Sequence, residues 1–187
     1  AYKLTVSSKE IKILAASEVG VIRATQTLVQ MAEGYKGKAK LEPVCIEDWP
    51  AFKLRGYMHD VGRSYIPAEE LVKQIELFSR FKVNTFHWHL TENQAWRFEV
   101  KAYPALTSAE SMTRFPGKYY TQEDCKAVMA AAQKHGVIVI PEIDMPGHSE
   151  AFKRAMGFDM QSEEGKKVLK AALDEVVGVF ADAPYIH

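Results

Sequence analysis

The sequence predicts an α/β protein: the opening half of a (β/α)8 barrel, about three to four strand-helix units, preceded by a small α+β segment. Three observations carry this. From residue 52 onward, short β-branched or aromatic runs alternate with longer amphipathic helical patterns. The first fifty residues lack that rhythm. The unusual polar residues gather just past the ends of the short runs, which is where barrel proteins build their sites.

In residues 1–50, the runs YKLTVS and IKILAA alternate as strands do. Val21, Thr25, Leu28 and Met31 then recur at helical spacing. Gly34, Gly37 and the lysines around them are expected to stop that helix before a short strand at 44–46, and Trp49-Pro50 reads as the exit. Beyond it, a strand is expected over 52–59 and a helix over 67–81, with Pro67 in its first turn and Leu71, Ile75 and Phe78 on one face. A second strand is expected over 83–90 and a polar loop, holding Pro116-Gly117, over 108–118. The next helix, 122–135, is opened by a capping box of Thr121 and Asp124 and stopped by Gly136. A third strand at 137–140, a helix over 163–180 and the start of a fourth strand at Pro184-Tyr185-Ile186-His187 complete the pattern.

Each helix is long enough to cross over between parallel strands. Two domains follow, 1–50 and 51–187, the second being a barrel cut short, because a parallel sheet ending at its fourth strand leaves an unpaired edge. An open doubly wound sheet is the competing reading, although no GxGxxG or GxxxxGK opens a helix.

The 187 residues are 47% hydrophobic and 26% charged, which excludes a disordered or collagenous chain. Basic and acidic residues number 24 each, so no net field draws the chain to nucleic acid or an anionic membrane. The longest apolar runs, such as GVIVI at 136–140, are too short to cross a bilayer. Cys45 and Cys125 lie far apart without CxxC spacing and are expected as buried thiols.

The first barrel strand carries Arg55, then His59, Asp60 and Arg63; the second His87 and His89, then Glu92, Asn93, Gln94 and Trp96; the third Glu142, Asp144 and His148. Polar groups this dense beside apolar strands need partners, which a shared pocket would supply. His87 and His89 share a strand face and, with Glu92 or His148, could supply a metal site, but that signal is weak: packing or support of a neighbouring group is the favoured reading, with sugar contact or acid-base work as the third. Arg55 needs a carboxylate or a ligand's oxygens. Asp144 and His148 read either as a helix-start turn or as a network that orients a carboxylate. Trp88 and Trp96 are sugar-stacking platforms or core, while Phe78, Phe81 and Phe180 read as core.

The strings LRGYMHDVGRSY, KVNTFHWHLTENQAWRFE, YYTQED and VIVIPEIDMPGH, in this order, resemble the opening half of the β-N-acetylhexosaminidase family of glycoside hydrolases. The resemblance implies a TIM barrel behind an α+β domain. It also implies release of terminal N-acetylglucosamine or N-acetylgalactosamine with retention, the substrate's own 2-acetamido oxygen attacking the anomeric carbon. No metal or organic cofactor is implied; the partner is an amino-sugar glycan, and the compartment is periplasmic, extracellular or lysosomal. Carried over, Arg55 grips the sugar's outer hydroxyls, His148 with Glu92 forms the network behind the general acid, and Asp144 fills an acidic position of the family motif.

The family's Asp-Asp-Gln-Gly stands here as Glu92-Asn93-Gln94-Ala95, one methylene longer at the first position and without a carboxylate at the second. The family's catalytic Asp-Glu pair follows a His-x-Gly-Gly stretch after the fourth strand, where this sequence reaches His187. Residues 1–187 alone are therefore expected to be inactive. The Glu92 and Asn93 changes keep open a carbohydrate-binding relative without turnover, and the histidine pair a metal-dependent barrel hydrolase.

Overall fold

The computed structural model describes residues 1–33 and 40–187; the helix stop expected at Gly34 and Gly37 lies outside the described residues. Near the N-terminus, β1 (Tyr2–Val6) pairs antiparallel with β2 (Ile11–Ala15) on one side and β3 (Val44–Asp48) on the other. The alternation in β1 buries Tyr2, Leu4 and Val6 against α1 (Glu18–Ala32). Ser17 caps α1, its Oγ accepting from the Gly20 amide.

The buried stripe of α1 runs through Gly20, Ala24, Leu28 and Met31, while Val21 and Thr25 face solvent, a correction of the expected phase. Close approach at Gly20 sets that phase: a Cβ there would lie 2.8 Å from the Ala15 Cβ. Cys45 is likewise exposed rather than buried, because period two along β3 turns it away from the side occupied by Val44 and Ile46.

The second sheet is parallel: β4 (Gly56–Asp60), β5 (Thr85–His89) and β6 (Ile138–Glu142) lie in chain order. β4 starts later than expected, since pairing reaches only from Gly56 opposite Thr85, and Phe52 and Leu54 remain exposed. The connections run through α2 (Ala68–Arg80) and α3 (Gln122–Lys134), which pack side by side, with α5 (Glu163–Val179) against α3. The capping box at Thr121 and Asp124 is present. One face of the sheet, with Phe86, Trp88 and Val139, buries against Leu71, Ile75, Val128 and Phe180 of the helical layer. Tyr57 stacks on Phe86 at 4.9 Å between centroids.

Trp88 and Trp96 are both core, buried almost completely. Phe81 is not: it follows the last turn of α2 and is 70% exposed. The seven-residue α4 (Glu150–Met156) is too short for a periodic signal, and it opens just past His148, where a helix-start turn is one of the two readings of the sequence. Past β6, the His187 amide donates to Pro141 O at 2.9 Å and its carbonyl accepts from Ile143 N at 3.1 Å, a parallel ladder step where the fourth strand is expected. Among the described residues, no helix is long and apolar enough to cross a membrane.

The opposite face of the parallel sheet carries the polar side chains. Register pairs Asp60 with His89 and His89 with Glu142, so these three form one row at the C-terminal edge. Met58, His87 and Ile140 form the row below.

Candidate functional site

Three connections, each leaving the C-terminal end of a strand, converge on Glu92. After β4 the chain turns tightly, Ser64 N donating to Asp60 O, and Asp60 holds Arg63 twice: Oδ1 accepts from the Arg63 amide at 3.0 Å and Oδ2 from Nη1 at 2.6 Å. After β5 the chain doubles back, with Glu92 N donating to Ala95 O and Thr91 bridging Trp96. This turn buries Glu92, whose side chain has no solvent exposure. After β6, Asp144 N donates to Thr91 Oγ1 at 2.9 Å, and His148 takes φ +51°. A left-handed backbone at a non-glycine residue costs on the order of 1 kcal/mol and persists only where surrounding contacts hold it.

That contact is with Glu92. Its carboxylate meets Arg63 Nη2, His148 Nδ1 and its own neighbour's amide, Asn93 N–H. A buried carboxylate in an apolar surround needs such donors to offset lost hydration. The same Nδ1 lies 3.4 Å from Arg63 Nη2; a proton on Nδ1 shared with the carboxylate would leave the Nε2 lone pair for a further partner. Asn93 accepts from Glu150 N through Oδ1 at 3.2 Å, at the start of α4. That role needs only an acceptor, which an amide supplies as well as a carboxylate.

A second cluster centres on Glu142. His87 Nε2 lies 2.5 Å from Oε2 but off the axis of a hydrogen bond, His89 Nδ1 lies 3.0 Å from the same oxygen, and His187 Nδ1 3.3 Å from Oε1. Burial works to raise the Glu142 carboxyl, but the hydrogen bond from His89 and the nearby imidazoles outweigh it and hold the group below the usual carboxylate range. A carboxyl depressed in the folded state adds stability above its unfolded value, and that stability fades as pH falls through the folded value. Glu142→Gln is therefore expected to cost about 2 kcal/mol at pH 6, the scale of a hydrogen bond to a charged group. Denaturant titrations should show the gap to the parent narrowing once pH drops below about 4.

The alternative of a metal site built from the histidine pair with Glu92 or His148 finds no such grouping among the described residues, and Arg63 occupies Glu92. Among the described residues, the groupings with metal-compatible spacing are His87, Glu142 and His187, and His89, Glu142 and Asp144.

Arg55 stands apart from both clusters. It precedes β4, at the far end of the sheet, and its guanidinium donates to Lys82 O at 2.8 Å and Phe52 O at 2.6 Å. It lines a cavity of about 410 Å³ between the two sheets, beside Arg23, Lys53 and Lys82. These backbone carbonyls offset its desolvation.

Sequence reasoning left Thr91, Gly62 and Arg97 unassigned. Gly62 offered a signal as the small residue between Asp60 and Arg63: a Cβ on it would lie 2.4 Å from the Glu92 Cβ.

The catalytic-domain model of glycosyl hydrolase family 20 matches residues 52–187, and the model of that family's domain 2 matches residues 1–49. A beta-hexosaminidase of Vibrio furnissii is 38% identical over 170 residues, covering 83% of this chain and 28% of the relative. The solved beta-N-acetylhexosaminidase of Bacteroides fragilis superposes with a TM-score of 0.91 at 36% identity, over all of this chain and 41% of its own. An exo beta-N-acetylglucosaminidase of Vibrio harveyi, solved with N-acetylglucosamine, gives 0.89 at 32% identity, over 100% of this chain and 35% of its own. The chain thus spans about a quarter of the length of the curated relatives it matches. With both family models matched end to end along it, the chain belongs to glycosyl hydrolase family 20.

Proposed function

We propose that residues 52–187 are the first half of a (β/α)8 barrel and carry the supporting side of a β-N-acetylhexosaminidase site. Sequential strand order, with α2 and α3 side by side, supports a barrel over a doubly wound sheet, whose order reverses at a switch point. The observation that carries the functional reading is the buried Glu92 carboxylate held by Arg63 and in contact with His148 Nδ1.

In this reading, the 2-acetamido oxygen of a terminal N-acetylglucosamine or N-acetylgalactosamine displaces the leaving group, and water opens the resulting oxazolinium with net retention. The general acid and the carboxylate that orients the acetamide are assigned to residues outside these 187. Glu92 orients His148, His148 Nε2 supports the acid, and Asp144 lies on the connection that Thr91 holds to the same turn. Arg55 has no part in this geometry, and the 187 residues alone do not turn over substrate. Asn93 in its acceptor role fits turnover as well as an aspartate would.

The test is hydrolysis of an aryl N-acetyl-β-glucosaminide by the full-length protein carrying these residues, beside the matching aryl β-glucoside. Cleavage of the first only, with kcat reduced about 100-fold or more in His148→Ala, is the expected result. Equal cleavage of both glycosides, or of neither, would overturn the reading.

A further inference from the structure

Arg97 is fully buried, yet among the described residues no carboxylate contacts it. Its Nε donates to Val61 O at 2.9 Å, and Nη2 to Gly62 O at 3.1 Å and Arg114 O at 2.8 Å. Nη1 donates to Phe115 O at 3.0 Å and Lys118 O at 2.5 Å. Burying a guanidinium this way is costly, and the desolvation pushes its pKa down to about 10. An apolar side chain would fill the same space without that cost, so the five carbonyls it gathers are the feature to explain.

They belong to two segments that frame Glu92. Val61 and Gly62 lie between Asp60 and Arg63, and Gly62 lies directly against Glu92. Residues 114–118 belong to the loop whose Thr113 amide donates to Gln94 O at 2.9 Å, two residues beyond Glu92. The same loop's Ser111 carbonyl accepts from Arg154, which also holds the Asn93 carbonyl. Arg97 itself sits on the returning arm of the Glu92 turn, its amide donating to Leu90 O at 2.9 Å. One rigid, planar fork therefore references the turn bearing Glu92 to the segment bearing Arg63 and to the loop closing over Asn93.

We propose that Arg97 is a positioning residue for the hydrolysis proposed above, setting the Glu92 carboxylate against Arg63 and His148 without touching substrate. The inference rests on that functional reading. A misplacement of about 1 Å in such a group costs on the order of 100-fold in rate. Lysine keeps the charge but, as a single point donor, spans only one of the two segments.

The experiment compares the full-length protein with Arg97→Lys and Arg97→Met, measuring kcat and KM on the aryl N-acetyl-β-glucosaminide together with unfolding midpoints. Arg97→Lys is expected to remain folded, with kcat down about 10- to 100-fold and KM changed less than about threefold. A crystal structure of Arg97→Lys is expected to place Arg63 and Glu92 beyond 4 Å of each other. Unchanged kcat per folded molecule with the Arg63–Glu92 contact intact, or a loss confined to the unfolding midpoint, would overturn the proposal. An inactive parent protein would refute the hexosaminidase reading, while the Arg63–Glu92 separation still decides the role of Arg97.

Discussion

Arg63→Met is expected to destabilise the fold by about 3 kcal/mol, several times the cost of Glu92→Gln. The asymmetry follows from burial. Glu92 has no exposed side-chain surface, whereas the Arg63 side chain is 45% exposed. Removing the arginine strands a buried carboxylate with only the His148 imidazole and the Asn93 amide, which is the costly way to break such a pair. Removing the charge from Glu92 leaves an arginine that Asp60 still pairs at 2.6 Å and that water reaches. Glutamine keeps one acceptor oxygen, which serves the buried Asn93 amide, and loses the bond to Arg63, whose guanidinium Asp60 and water still satisfy, so its cost is about 1 kcal/mol. Urea denaturation at pH 7, with unchanged slopes, measures both. Equal losses would mean that Arg63 contributes little to solvating Glu92.

Gly62→Ala is expected to cost about 2 kcal/mol and to displace the Glu92 turn. The added methyl would meet the Glu92 Cβ at 2.4 Å and its amide nitrogen at 3.2 Å. Those atoms cannot swing aside, because Glu92 N is tied to Ala95 O at 2.9 Å. Overpacking of this kind typically costs about 1–3 kcal/mol. Gly147→Ala is the control: nothing lies within 4 Å of its added methyl, and its effect should stay within about 0.5 kcal/mol. Thermal unfolding of the two variants measures the difference, and matching melting temperatures would show that Gly62 is not a packing constraint.

Much of the fold was legible because its signals are local. Leu71 and Ile75 recur at helical spacing, the Thr121 cap sits one residue before its helix, and Gly136, at φ +63°, stops it. The α1 phase was not legible, since Val21 is as apolar as its neighbours and what turns it outward is contact between Gly20 and Ala15, on another element. Phe81 misled for a similar reason: its side chain continues the helix pattern while its backbone has already left the helix.

In the candidate site, the order of residues along the strands was readable, but the choice of partner was not. Sequence offered His87 and His89 several acids, and sheet register hands them Glu142. Arg97 stood unmarked in WRF because its partners are carbonyls, which every residue has and no sequence pattern displays.

The two thiols, one exposed on β3 and one sealed within α3, give the molecule a chemical clock for opening. Burial also pushes the Cys125 thiol up, keeping it from the reactive thiolate form until its surroundings admit water. A thiol-selective alkylating agent thus reacts at Cys45 from the outset, and at Cys125 at the frequency with which the helical layer comes apart. Its timing separates loosening of that layer from whole-chain unfolding, with no label introduced.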